Sequence, residues 1–152
     1  MLMIRYSRSS LGVYSESRTA QDVTDVLGIE PTESHEKGAL TRAGLAGRPL
    51  KPRYLTNQRS VWIYSTDDSS GDPGDQTGFS SLRTLVDVFA DRADALAELR
   101  GNCDTVIWWS GDSDSSQGGF VIPATLLTDT ARLGCDLRGT AWIQSDDEHD
   151  ST

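Results

Sequence analysis

Few residues in this chain can supply an imidazole as a catalytic base. His35 and His149 are the two histidines, and His149 falls in an acidic C-terminal stretch, so His35 is the candidate imidazole base. Ser34 precedes it, but adjacency in the chain is no evidence for the hydrogen bond that a nucleophile and its base require. The sequence therefore predicts no catalytic residue, and an enzyme of unknown class centred on His35 is kept as a third hypothesis.

Motifs for metals and cofactors are equally weak. Residues 112–117 read Asp-Ser-Asp-Ser-Ser-Gln, which hints at a calcium loop, but Gln117 stands where that loop needs glycine and Pro123 where it needs glutamate. A hairpin turn is the favoured interpretation. Cys103 and Cys135 lack zinc-site spacing, which predicts two reduced structural thiols. With no P-loop or dinucleotide-binding glycine motif either, no metal and no cofactor are expected.

Basic side chains are concentrated in residues 37–59, which contain no acid and are called the basic loop below. Its cations are Lys37, Arg42, Arg48, Lys51, Arg53 and Arg59. The whole chain has a formal net charge of −9, so these six positive charges leave −15 for the remainder. Because arginines on a long loop can close on a phosphate, a carboxylate or an acidic protein, the first five are predicted to form an anion or partner site. The alternative is that the loop folds back and neutralises acidic surface of its own chain.

Aromatic residues form a second candidate surface. Trp62 and Tyr64 are two positions apart in a predicted strand and share one face, while aliphatic residues occupy the other. If helices cover the aliphatic face, Trp62 and Tyr64 lie on an open face with Trp142 and one of the adjacent pair Trp108 and Trp109. Exposed aromatic residues anchor interfaces, which predicts a protein partner, a homodimer through this face, or an apolar ligand. The alternative is that the first strand or the basic loop covers this face as a second core.

Hydrophobic periodicity predicts the elements that position these residues. Before residue 60 they are a strand within residues 2–14, a helix capped by Thr19 and Asp22 and ended by Gly28, and the basic loop. A strand at 60–66 follows, and then a helix that begins at Ser80 or Ser81 and has a break near 91–92. The last elements are a strand at 105–110, a hairpin strand at 119–122, a helix after Pro123 closed by Gly134, and a strand at 137–143. From residue 60 onward this is the split β-α-β pattern. We therefore predict an α+β fold: a ferredoxin-like antiparallel sheet with helices on one face, preceded by an extra strand and helix.

The length of 152 residues fits one domain. We assign it to residues 1–145, with the basic loop at 37–59 and an acidic loop at 67–78, followed by a disordered acidic tail at 146–152. In the ferredoxin-like strand order, Cys103 and Cys135 belong to opposite edges of the sheet. That separation exceeds the reach of a disulfide bond, so both thiols should be free.

Composition argues against several classes of partner. A net charge of −9 and a pI near 4.5 oppose general binding to nucleic acid or anionic lipid. No stretch approaches the roughly 20 apolar residues of a membrane span, and the first residues lack the apolar run of a signal peptide. We expect an acidic cytoplasmic protein with no membrane partner.

The chain resembles the bacterial family described as domain of unknown function 4279. The resemblance runs from about Ile4 to Ile143 and is carried by Leu27-Gly28-Ile29-Glu30-Pro31-Thr32, Lys37-Gly38, and Trp62 with Ser65. It implies an α+β domain with no established activity, and hence no catalytic residues. The insert after Gly38 is longer and more basic here than the family pattern.

A small acidic domain without a catalytic signature is expected to be a non-enzymatic protein-interaction domain. Its candidate role is that of an immunity or antitoxin-type inhibitor, which neutralises a basic effector by charge complementarity. The alternative is a small-molecule or anion-binding domain that uses the basic loop and the aromatic sheet face.

Overall fold

The first strand of the chain lies at the centre of a five-stranded sheet. The computed structural model describes residues 4–70, 77–113 and 120–143, without the side chains of Arg5, Ser70 and Ile143. The strands are β1 (Ile4–Ser15), β2 (Glu33–His35), β3 (Ser60–Asp67), β4 (Asp104–Ser113) and β5 (Asp136–Ile143), in the order β2-β3-β1-β4-β5. The helices are α1 (Ala20–Leu27), α2 (Arg42–Leu45), α3 (Pro52–Leu55), α4 (Ser80–Phe89), α5 (Ala93–Leu99) and α6 (Ala124–Arg132).

Strand direction makes this a mixed sheet. β3 and β4 both run antiparallel to β1, so they are parallel to each other with β1 between them, as in a split β-α-β unit. β4 and β5 pair in parallel, and β2 pairs antiparallel with β3. The α+β class is confirmed by this arrangement of strands and helices.

The ferredoxin-like order is not confirmed, and the prediction of an antiparallel sheet is wrong at the β4–β5 pair. Residues 120–122 form no strand. A turn is predicted at residues 111–118, but residues 111–113 belong to β4; the rest of that turn, with residue 119, lies outside the described residues. β1 occupies the place between β3 and β4. This strand is 12 residues long and pairs with β3 along one of its edges and with β4 along the other.

The hydrophobic core lies on the sheet face that carries the odd-numbered residues of β1. Leu11 and Val13 are buried there beside Trp62 and Ile107. Helices α1, α4, α5 and α6 supply the opposing side chains, with Val23, Leu27, Leu85, Phe89, Leu96 and Leu126 among them. The opposite face, which carries the even-numbered residues of β1 from Tyr6 to Tyr14, is called the open face below; Ile4 packs against the core because the register shifts between Ile4 and Tyr6.

Several helix boundaries are confirmed. The Thr19 hydroxyl accepts from the Asp22 amide while the Asp22 carboxylate accepts from the Thr19 amide, the reciprocal capping box. Gly28 ends α1 with a φ of 67°, a left-handed conformation that glycine adopts without strain. α4 ends at Phe89 and α5 begins at Ala93, which places the predicted break correctly. Among the helices of the described residues, none combines the length and apolar character needed to cross a bilayer.

Candidate functional site

An open groove lies at the end of the sheet where the strands β3, β4 and β5 begin and β1 ends. Its volume is about 640 Å³, within the range of about 300–1,000 Å³ typical of small-ligand sites. Because three parallel strands start at this end of the sheet, residues far apart in the chain meet there. The side chains that give the groove its chemistry are Tyr14, Arg59, Arg100, Asp104, Trp108 and Arg138.

Arg59, the last residue of the basic loop, is held in the groove by two neighbours. Its Nη1 atom donates to Asp104 Oδ2 over 3.2 Å, and its guanidinium carbon lies 4.6 Å from the centre of the Tyr14 ring. Tyr14 and Asp104 are register partners across the β1–β4 pair, so the sheet itself sets the positions of both neighbours. A guanidinium over a ring is attracted by the π system and keeps in-plane N–H groups for other acceptors.

Arg138 stands over Trp108 in a second arrangement of the same kind. Its guanidinium carbon lies 5.3 Å from the Trp108 ring centre, and the two residues are register partners in the parallel β4–β5 pair. No described residue accepts a hydrogen bond from the Arg138 side chain. Its N–H groups therefore remain available to a ligand in the groove.

Arg100 enters the groove from the end of α5. Its Nη1 atom donates to the Leu133 carbonyl oxygen over 2.8 Å. A Cβ atom at position 134 would lie 2.6 Å from that same nitrogen, and Gly134 has a φ of 69°. Gly134 therefore closes α6, as the sequence predicted, and its missing side chain also makes room for the Arg100 guanidinium.

The groove combines three guanidinium groups with the carboxylates of Asp104 and Asp136. Arginine binds planar carboxylate and phosphate groups through paired N–H donors, so this set suits a small anion.

Cys103 also lines the groove. Cys135 lies near Arg100, and burial raises the pKa of its thiol, an effect larger than the opposing influence of Thr105 and Arg100. The thiol is therefore protonated at neutral pH and is not a nucleophile.

The aromatic prediction is partly wrong. Trp62 has no exposed surface; it packs edge-on against Phe89 and donates from Nε1 to Thr24 Oγ1 over 3.0 Å. Tyr64 shares its face and packs half-buried against the core. The reason is register, since Trp62 pairs with Val13, whose side chain lies on the core face.

The open face does carry tryptophans, but a different set. Trp142 is 62% exposed and Trp108 is 39% exposed, while Trp109 is buried and stacks on Phe79. The prediction that one of the adjacent pair joins this face is confirmed for Trp108. The alternative that the aromatic residues face a core holds for Trp62 and Tyr64, although helices cover them and β1 lies within the sheet. It is wrong for Trp108 and Trp142, which remain accessible.

The basic loop is not a structureless excursion, because it contains α2 and α3. Lys37 donates to the Glu16 carbonyl oxygen over 3.4 Å, and Arg53 stacks on Tyr54. Like Lys37 and Arg53, the cations at Arg42, Arg48 and Lys51 form no ion pair with any described acidic residue. Among the cations of the loop, Arg59 alone lines the groove. The alternative that the loop neutralises its own chain's surface therefore holds for Arg59 only.

The side chain of His35 is partly exposed on β2. Its Nε2 atom lies 2.8 Å from Glu33 Oε1, and both side chains are substantially exposed on β2. Ser34 is its neighbour along the strand and projects to the opposite face, so the two cannot form a nucleophile–base pair. In the part of the chain that the structure describes, no three His, Cys, Asp or Glu side chains are grouped to hold a metal ion; the suspected calcium loop lies partly outside it.

Both cysteines are free thiols, as predicted. The reasoning from strand order was wrong, however, since Cys103 and Cys135 precede the neighbouring strands β4 and β5. Sequence reasoning also missed Arg100 and Arg138. The available signal was the alternation in β5, which places Arg138 and Trp142 on one face, but nothing local indicated that Trp108 would lie beside Arg138.

The fold and its groove define a small α+β protein with an arginine-lined and aromatic-lined depression at one sheet edge. Residues 5–143 match the family model described as Domain of unknown function (DUF4279), and the chain belongs to that family. No curated protein and no solved structure shows a significant match.

Proposed function

We propose that this chain is a non-enzymatic binding domain whose groove holds a small organic anion, a carboxylate or phosphate attached to a planar or apolar group. The observation that carries the proposal is the convergence of Arg59, Arg100 and Arg138 on one groove. Tyr14 and Trp108 hold two of these guanidinium groups in place, so little side-chain entropy is lost when an anion binds. Their rings also offer apolar surface to the rest of the ligand.

The proposal is tested with phenyl phosphate, inorganic phosphate and phenol as probes, in titration calorimetry at low ionic strength. Wild-type protein should bind phenyl phosphate more tightly than phosphate and should not bind phenol. Arg138→Ala should weaken phenyl phosphate binding about tenfold or more, since a hydrogen bond to a charged group contributes roughly 1.5–3 kcal/mol.

Arg48→Ala serves as the matched control, because Arg48 is an exposed cation of the basic loop outside the groove. It should leave binding unchanged. Loss of binding in Arg48→Ala with retention in Arg138→Ala would contradict the groove as the site. It would favour instead an anion site on the basic loop.

The other predicted functions rest on less. Inhibition of a basic effector, as by an immunity protein or antitoxin, is supported by the charge of −15 outside the basic loop, and a homodimer through the open face by the exposure of Trp142. Both stay predictions, as does an enzyme centred on His35, whose exposed pairing with Glu33 favours a surface role.

A further inference from the structure

The basic loop combines unpaired cations with exposed apolar side chains. The apolar residues are Leu40, Leu45, Leu50 and Tyr54, and Leu45 is 74% exposed. The cations among them are Arg42, Arg48, Lys51 and Arg53. Together these eight side chains are called the loop surface below. Exposed apolar side chains interspersed with cations in one short stretch of chain are typical of an interaction site.

The loop surface is ordered by contacts within the loop itself. The Gly38 amide donates to the Asn57 carbonyl oxygen over 2.7 Å and the Asn57 amide to the Ala39 carbonyl oxygen over 2.8 Å, which closes the loop at its base. The Thr41 hydroxyl donates to the Tyr54 carbonyl oxygen over 2.7 Å and ties α2 to α3. A surface held in shape before binding costs less free energy to use.

We infer that the loop surface docks a protein segment that is both acidic and apolar. The four cations have no acidic partner among the described residues, and charge complementarity therefore selects an acidic partner. The apolar side chains require more than charge, because Leu45 and Leu50 lose contact with water only against another apolar surface. This site is separate from the groove and does not depend on the anion proposed there.

A protein segment fits better than a polyanion. The −15 charge of the remaining chain repels every anion, but it acts along the whole length of a nucleic acid or lipid surface, whereas a short acidic segment lies close to the loop surface alone. A phosphate backbone would also leave Leu40, Leu45 and Leu50 without an apolar partner.

The experiment uses fluorescence anisotropy with labelled synthetic peptides. One panel carries Asp and Glu with Leu and Phe at helical i, i+3, i+4 spacing; the second keeps the same net charge and replaces Leu and Phe by Ser. The test variant is Leu45→Ser/Arg48→Ser. The matched control is Leu127→Ser/Arg132→Ser, which removes an exposed leucine and an exposed arginine from α6.

Wild type and the α6 control should bind amphipathic peptides at least about tenfold more tightly than Leu45→Ser/Arg48→Ser does, and the Ser peptides should bind weakly to all three. Unchanged melting temperatures will show that the variants fold. Equal binding of both panels, equal binding by the test variant, or no binding of any amphipathic peptide by wild type would overturn the inference. So would loop-dependent binding to phosphatidylserine vesicles, or loop-dependent self-association in sedimentation, without peptide binding.

Discussion

Arg59 Nη1 lies 3.2 Å from Asp104 Oδ2, so one of the three guanidinium groups of the groove already has an anionic partner from the same chain. The Asp104 side chain is 83% exposed and free to move aside. The Tyr14 ring supports Arg59 independently of Asp104. Asp104 is therefore a competitor of any anion that enters the groove, and its loss leaves Arg59 in place.

Asp104→Asn should strengthen the binding of phenyl phosphate. An exposed ion pair contributes up to about 1 kcal/mol, so the dissociation constant should fall by about twofold to fivefold in titration calorimetry. Asp87→Asn is the control, because Asp87 pairs with Arg83 on α4, away from the groove. Weaker binding in Asp104→Asn would mean that Asp104 contacts the ligand instead of competing with it.

Trp62 and Trp142 should differ sharply in their effect on stability. Trp62→Ala leaves a cavity in the core and removes the donor to Thr24, so the free energy of unfolding should fall by about 3–5 kcal/mol. Trp142→Ala, at an exposed position, should change it by no more than about 0.5 kcal/mol. Urea unfolding followed by circular dichroism measures both. Equal losses would contradict the assignment of the core face.

Gly44→Ala should loosen the basic loop without unfolding the protein. A Cβ atom at position 44 would overlap the Leu55 carbonyl oxygen and push α2 away from α3. Neither short helix contains a buried residue, so the melting temperature should hardly change. Trypsin cleavage within the loop should accelerate about tenfold, since local opening becomes easier.

Gly101→Ala is the control for that experiment. A Cβ atom there would lie 3.4 Å from the Glu98 carbonyl oxygen, a tight but tolerable contact outside the loop. Its trypsin sensitivity should match that of wild type. A Gly44→Ala protein that resists trypsin like wild type would show that α2 and α3 are not packed through this glycine.

Cys135 should react slowly with iodoacetamide in the native protein. Burial raises the pKa of its thiol above the ordinary value of 9.0, and the thiolate is the reactive form. The pH midpoint of alkylation, followed by peptide mass spectrometry, should lie higher in the native protein than in urea. Coinciding midpoints would contradict the burial of this thiol.

The same shift sets the sign of a pH effect on stability. A folded-state pKa above the unfolded value contributes stability that is complete below the unfolded pKa and is lost as pH rises through the folded pKa. The contribution of Cys135 should therefore be constant at neutral pH and decline in alkaline solution above about pH 9. A Cys135→Ser variant should lack this part of the alkaline decline.

Features that depend on a few neighbouring residues could be predicted well. The Thr19–Asp22 capping box, the left-handed Gly28 and the break between α4 and α5 all follow from short stretches of chain. The positions of β3, β4 and β5 were likewise close to prediction, because β-branched and aromatic runs indicate strands locally.

The order of those strands could not be predicted the same way. β1 alternates along its length, but alternation does not tell which strands pair with it. It pairs with both β3 and β4, and β5 can pair in parallel with β4 because α6 in the connection returns the chain to the end of the sheet where β4 begins. These strand pairings depend on packing between residues that are far apart in the chain.

The sequence by itself determined the division of charge between the basic loop and the remaining chain, and the pairs of residues that share a strand face. Tertiary structure decided which face is covered. Trp62 is buried because it lies opposite Val13 on the side that the helices occupy, whereas Trp142 is exposed. Tertiary structure also brought Arg59, Arg100 and Arg138 together, because they meet at one end of the sheet although no local interaction connects them.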